Sequence, residues 1–420
     1  MKLQLSILAL IFLFQFALIS QEIESPCSKT SILKRMNIQN PNASEEQNEL
    51  EEWLQSMIRE LEIAKNGDFF VQTEFVIPVV MHVFHWGDDG KMGMEQALSG
   101  LQRLNEDFHG LNDGWETIDP LFESRKGSLN ITFCLATIDP EGLETTGIIY
   151  HEDSLAVYNQ GDLFQHAWDN YKYLNIYFPK YTSGGPSNFT GYAYFPSTFN
   201  SNNNEDGIFY SSIRWGFGEH SVLENEDDWA SVCTHEAGHW LNLYHTFEGG
   251  CSSSDNVGDT PPTTGGSIFL EGCNNNDFSC GQATNGENFM DYNHRCKKMF
   301  TQGQIARMNG GLYHPTRQPL WSEENLISTG CIDYFSSNQE VDLALDAFIF
   351  PNPTTGILNV RQFVDHATIS ILNVQGIRLE SFDLKESETS MNVEHLQSGL
   401  YYYMLKSNGK AKTGKFFIAK

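Results

Sequence analysis

The chain has 420 residues and a formal net charge of −28 at neutral pH. That length suits two or three domains, and so acidic a surface argues against nucleic acid and anionic membranes as partners. The acids are dispersed rather than gathered in one run, as on a solvated surface, and the eight cysteines suggest disulfides made in an oxidising compartment.

Residues 1–20 carry Lys2 and then an apolar run from Leu5 to Ile19. The run is short for a membrane span and reads as a secretory signal peptide, after whose removal no transmembrane segment is expected. Residues 21–70 are polar and acidic and form a propeptide-like segment. Within them Leu50, Trp53, Leu54, Met57, Ile58 and Leu61 recur at helical spacing and predict a helix over 44–65. Such a stripe fits a propeptide lying across a protease domain; the alternative is an ordinary N-terminal helix of that domain.

From Phe75 the pattern changes. Phe75–Phe84 is β-branched and apolar, a buried strand, and Met94–Phe108 is an amphipathic helix. Leu129–Thr137 and Tyr173–Phe178 read as strands, Leu163–Tyr171 as a helix, and Gly191–Pro196 and Gly207–Ile213 as short strands. Strands interleaved with helices predict an α+β fold with a twisted mixed sheet. Asp227 or Asp228 is placed to cap the next helix.

That helix carries His235-Glu236-Ala237-Gly238-His239, with His245 six residues further on. Positions i and i+4 share a helix face, so His235 and His239 can address one ion. A catalytic Zn²⁺ takes about three protein ligands and keeps a position for water. Glu236 stands beside the pair, ready to take that water's proton. His245 lies beyond the reach of a continuous helix, so the chain must turn first, and Asn242 is a residue that tolerates the left-handed backbone such a turn needs. Downstream, Asn288-Phe289-Met290-Asp291-Tyr292 supplies a Met-containing turn of the kind that lies under the metal in metzincins.

Together, HEAGHWLNLYHTFEGGC, DNVGDTP, NFMDY and MFTQGQIARM resemble the pappalysin family of metzincins, especially its small cytophagalysin-like members. The resemblance covers roughly residues 74–314 and departs from the family at Asn242, where Gly is usual. It implies a metzincin-like catalytic domain over 71–332, with zinc on His235, His239 and His245 and Glu236 as general base. Met290 would pack beneath the metal, and Tyr292 would reach the metal or the oxyanion. Gly191–Phe195 resembles the strand that metzincins offer to an extended peptide.

Residues 249–286 are rich in Gly, Asn, Ser and Asp and need covalent staples. On sequence alone Cys251, Cys273, Cys280 and Cys296 allow three pairings; the resemblance implies Cys251–Cys280 and Cys273–Cys296. Cys27, Cys134, Cys233 and Cys331 stay unassigned, with Cys233 on the buried side of the active-site helix. Asp255 and Asp259, with the carbonyls of Val257 and Thr260, make an acid-rich loop that suits Ca²⁺, as in similar family members, or a plain solvated turn. Cys27 is a candidate thiolate ligand that would hold the zinc latent, as propeptide cysteines of related proteases do.

Residues 333–346 read as a linker, and 347–420 as strands separated by turns, a small β-sandwich. Pro351-Asn352-Pro353-Thr354-Thr355-Gly356, the Gly399-Leu400-Tyr401-Tyr402 turn and the Lys-rich last strand resemble a type IX secretion sorting domain. The reading is a zinc metalloendopeptidase acting on protein or peptide substrates. It would be exported through the periplasm of a Gram-negative bacterium by the type IX machinery and end secreted or at the cell surface. The rival is a surface adhesin that keeps the protease fold and the metal without turnover.

Overall fold

A computed structural model describes residues 40–65, 74–182, 190–218, 220–222, 231–252, 255–264, 278–293 and 296–332, and, at the C-terminus, 347–351, 354–362, 367–372, 378–385, 388–407, 410–418 and 420. The expected signal peptide, Cys27, Cys273, the linker and the Asp227/Asp228 cap lie outside them. The expected N-terminal helix is present as α1 (Ala43–Lys65).

The sheet is built around β1 (Phe75–His85), ten of whose eleven residues are buried, as expected of a strand covered on both faces. On one edge β1 pairs in parallel with β2 (Ile131–Leu135) and, further along, with β3 (Ile148–Glu152). On the other edge lies β4 (Leu174–Phe178), also parallel. Pairing with β4 begins at Val79, one residue after Pro78, so the missing N–H of that proline costs no ladder bond. Beyond β4 come the antiparallel edge strand β5 (Gly191–Ala193) and, between the two, the parallel β6 (Ile208–Tyr210).

The two-residue period of β1 divides its side chains between two cores. Phe75, Ile77, Val79, Met81 and Val83 join the main core. There they meet helix α2 (Met94–His109) and the helix that bears the histidines. Val76, Val80 and Phe84 face the other way, into smaller clusters. One of these encloses the Cys134–Cys331 disulfide, which joins residues 197 apart in sequence. That bond removes Cys134 and Cys331 as partners for Cys27.

On this second face a ladder of rings crosses four strands in register: His82 on Tyr177, Tyr177 on Phe209, and Phe209 on Tyr192 of the edge strand. Centroid separations are 5.2, 4.7 and 4.5 Å, all stacked. The His82 end continues into His151, whose Nε2 lies 3.1 Å from His82 Nδ1, and His166, whose ring is 4.0 Å from that of His151. Asn175 Oδ1 accepts from Trp168 N and lies 3.0 Å from His82 Nε2.

Burial lowers His82 to about 3 and His151 to about 4, with the neighbouring histidines adding to the effect and Asp153 opposing it at His151. Unfolding would return both to about 6.5. The stability is therefore complete above that value and falls as pH drops from 6.5 towards 4, because the unfolded chain then binds more protons. Denaturation followed from pH 7 to 4.5 should show this fall, and a His151→Phe variant should show a shallower one. Equal slopes in both proteins would contradict the assignment.

Two elements differ from expectation. Residues 163–171 hold only a 3-10 turn, Phe164–His166, because Asn175 ties both backbone groups of Trp168 into an extended loop. The active-site helix α4 (Val232–Trp240), next in the chain after the short helix α3 (Thr198–Asn202), takes Ser231 as its N-cap residue.

Two further helices, α5 (Gln302–Leu312) and α6 (Glu323–Thr329), follow in chain order, and a capping box of Thr301 and Gln304 starts α5. No helix among the described residues is long and apolar enough to cross a membrane.

The C-terminal strands form two antiparallel sheets. One contains β7 (Ala347–Phe350), β8 (Ile357–Gln362) and β11 (Glu388–Asn392). The other contains β9 (Ala367–Leu372), β10 (Arg378–Leu384), β12 (Gly399–Ser407) and β13 (Lys410–Ile418). Strand β9 alternates buried and half-buried residues, and a core of Leu358, Val360, Ile369, Ile371, Leu405 and Phe416 lies between them. This is the expected sandwich.

Candidate active site

His235 and His239 stand on α4, which is anchored to α2 through Thr234 Oγ1 donating to Asp107 at 2.6 Å. The helix stops at Trp240, and the chain reverses with Asn242 at φ +74°. The amides of Asn242 and Leu243 donate to the His239 and Gly238 carbonyls. The turn thus finishes the helix and returns His245 to its face. Asn242 adopts the left-handed backbone for which Gly or Asn is suited.

The three imidazoles meet at their Nε2 atoms. The separations are 3.1 Å for His235–His245, 3.2 Å for His235–His239 and 3.1 Å for His239–His245. Ligand nitrogens about 2.0–2.1 Å from a tetrahedral Zn²⁺ lie about 3.3–3.4 Å apart, so the triangle fits such an ion. Among the described residues this is the one group of three or more His, Cys, Asp or Glu side chains so arranged. His235 Nδ1 lies 2.7 Å from the Phe289 carbonyl and His239 Nδ1 2.7 Å from the Leu243 carbonyl. These acceptors place the proton on Nδ1 and leave Nε2 free to bind metal. Glu248 Oε2 lies 4.0 Å from His245 Nδ1. All three rings are buried. Burial, with the Lys297 charge adding to it, holds them neutral, His239 down to about 4.

Met290 is fully buried directly beneath α4. A Cβ on Gly238 would lie 2.5 Å from its Sδ, so the glycine of the motif is there to admit the methionine. Tyr292 places its ring 4.7 Å from His245 and 5.8 Å from His235. Glu236 is buried, and its Cγ would lie 3.0 Å from a Cβ on Gly191. That close approach sets the edge strand β5 beside the carboxylate.

Lys297 was not legible as part of this centre. It is buried, and its Nζ donates to the carbonyls of Phe289, at 2.5 Å, and Asp291. It thereby fixes the turn on both sides of Met290. Asp291 is buried and accepts from Thr246 at 3.1 Å.

In the acid-rich loop the carboxylates serve internal donors. Asp255 accepts from Thr260 Oγ1 at 2.8 Å and Val257 N at 3.1 Å. Asp259 accepts from Thr301 Oγ1 at 2.7 Å and Gly303 N at 2.8 Å. The loop therefore braces the start of α5. Cys251 and Cys280 are bonded as expected, Cys296 is disulfide-bonded, and Cys233 is a buried free thiol.

Residues 157–313 match the peptidase family M43 described as pregnancy-associated plasma protein-A, and residues 348–419 match a secretion system C-terminal sorting domain. Extracellular metalloproteases of Podospora anserina and Coccidioides posadasii are 37% and 38% identical over 33% of this chain, covering 46% and 49% of their own length. The chain thus spans about half the length of the curated relatives it matches.

Mature mirolysin of Tannerella forsythia, solved with a cleaved peptide, is 28% identical over 61% of this chain and 99% of its own, with a TM-score of 0.53. A promirolysin mutant from the same organism is 26% identical over 70% of this chain and 96% of its own, with a TM-score of 0.58.

Proposed function

From a chain that carries a pappalysin-family metalloprotease domain over residues 157–313 and a sorting domain over 348–419, we propose a secreted zinc endopeptidase. The observation that carries the reading is the triangle of Nε2 atoms 3.1–3.2 Å apart. His235, His239 and His245 would hold the ion. When bound, zinc polarises the scissile carbonyl and acidifies the attacking water.

Everything else falls to the chain's own groups. Glu236 receives the proton of the attacking water and passes it to the leaving amine. The edge of β5 takes the peptide as an added strand, which brings the scissile bond alongside Glu236. Tyr292, against His245, donates to the oxyanion. Met290 and Gly238 set the floor. Cleavage of casein with and without a chelator tests the reading: the account expects loss on chelation, and equal cleavage in both would sink it.

The domain limits follow from the same reading: a signal peptide over 1–20, a latency segment over 21–70, a catalytic unit over 71–332, a linker over 333–346 and a sorting sandwich over 347–420. Export through the periplasm by the type IX machinery fits the sorting match. Truncation after Asp346 should leave a folded, active protease that fails to reach the cell surface. Normal export of the truncated protein in its host would refute the sorting role. Mirolysin has a pro-form, and Cys27 is our candidate for the thiolate that keeps the precursor silent. A Cys27→Ser precursor should show premature activity. Detection of Cys27 in a disulfide of the secreted precursor would end that assignment.

A further inference from the structure

The third ligand differs from the other two in what holds it. His235 and His239 ride on a helix, whereas His245 ends a four-residue turn. Two buried arginines reach into that turn from outside. Arg317 Nε donates to the Trp240 carbonyl at 3.2 Å and Arg307 Nε to the Asn242 carbonyl at 2.8 Å. Helix α5 presses on the carbonyl between them, since a Cβ on Gly311 would lie 2.9 Å from Leu241 O. Each guanidinium also needs a counter-charge, because an unpaired buried cation is costly. Arg317 finds Asp206 inside the catalytic body.

Arg307 finds its partner elsewhere. Its two terminal nitrogens form a fork on Glu51 of α1, at 2.7 and 2.6 Å, and its guanidinium lies over the Tyr244 ring at 4.8 Å. From the same helix, Gln47 Nε2 donates to Tyr244 Oη at 3.0 Å and to Asn242 Oδ1 at 3.3 Å. Leu54 and Ile58 of α1 pack on Gly310. The residue with the left-handed backbone is thus gripped by Arg307 at its carbonyl and by Gln47 at its side chain.

We propose that Arg307 is a positioning residue for His245, and that α1 tightens its hold through Glu51 and Gln47, so that the metal centre senses whether the N-terminal helix is docked. This rests on the zinc reading of the three histidines. It makes α1 more than a cover. While docked, α1 preorganises the third ligand; once it leaves, Arg307 loses its carboxylate and the turn loses one of its two grips.

The test is zinc affinity by chelator competition on the full-length protein, with the melting temperature of the zinc-free form measured alongside. Changes in groups that orient metal ligands typically cost about 10–100-fold in affinity. Arg307→Met should therefore raise the zinc dissociation constant by about that factor, and Glu51→Gln by a smaller one. In an Arg307→Met background, Glu51→Gln should cost less than it does in wild type, because Glu51 acts chiefly through the arginine and otherwise touches the turn only by accepting from Tyr244 Oη at 3.4 Å. A purely structural role would lower the zinc-free melting temperature and leave the affinity unmoved. Should Arg307→Met fail to fold, Glu51→Gln and Gln47→Ala carry the same comparison. Dissociation constants within about twofold of wild type in folded Glu51→Gln and Gln47→Ala proteins would overturn the proposal. Wild-type protein that takes up no stoichiometric zinc would instead overturn the reading of the centre itself.

Discussion

Glu236→Ala is expected to retain its zinc and to lose peptide hydrolysis by at least about 10²–10⁴-fold, the contribution of a positioned general base. The carboxylate is buried, packed against the edge strand at Gly191, and lies outside the set of three ligand nitrogens. Removing it should therefore spare metal binding while leaving the attacking water with no proton acceptor. The isosteric Glu236→Gln should fall as far, because the amide cannot accept that proton. Zinc content and kcat/KM of the purified variants check this together. Wild-type turnover in either variant would remove the general-base role. Absence of turnover in wild type and variants alike, with zinc bound in all of them, would favour a metal-binding adhesin.

The second large effect concerns stability. Asp206→Ala should destabilise the protein by about 3–5 kcal/mol, the usual consequence of leaving a buried ion without its partner. Arg317 and Asp206 are both almost wholly inaccessible, and the guanidinium stacks 4.0 Å over the Trp240 ring while holding the Trp240 carbonyl. With Asp206 gone, the buried charge loses the carboxylate it is paired with among the described residues. Chemical denaturation would measure the loss. A change below about 1 kcal/mol, the range of an exposed pair, would show that Arg317 does not depend on Asp206.

The sequence exposes the parts of this protein whose causes are local. The i, i+4 histidines, the third histidine and the turn-tolerant Asn242 are all within eleven residues, and the backbone there behaves as those residue types require. Strand β1 follows from its β-branched apolar run and helix α1 from its period. What was hidden depends on pairs far apart in the chain. Glu51 and Arg307 are separated by 256 residues, Asp206 and Arg317 by 111, and the cysteines of the Cys134–Cys331 bond by 197. No window of sequence contains both members. Residues 163–171 misled for a different reason. Their apolar spacing fits a helix, yet a single amide, Asn175, supplies backbone partners that outweigh that preference. The acidic loop at 255–260 hides its partners as the distant pairs do: its carboxylates hold Thr260, backbone amides and the start of α5, and the last lies more than forty residues further along the chain.

On the proposed reading, one zinc ion on His235, His239 and His245 makes this chain a peptidase. The most direct measurement is the rate of casein cleavage by secreted, chelated enzyme as zinc is returned in increments. The chelated protein should cleave nothing, and the rate should rise linearly to one equivalent of zinc. Cleavage that persists after chelation, or that fails to return at any zinc level, would contradict that reading.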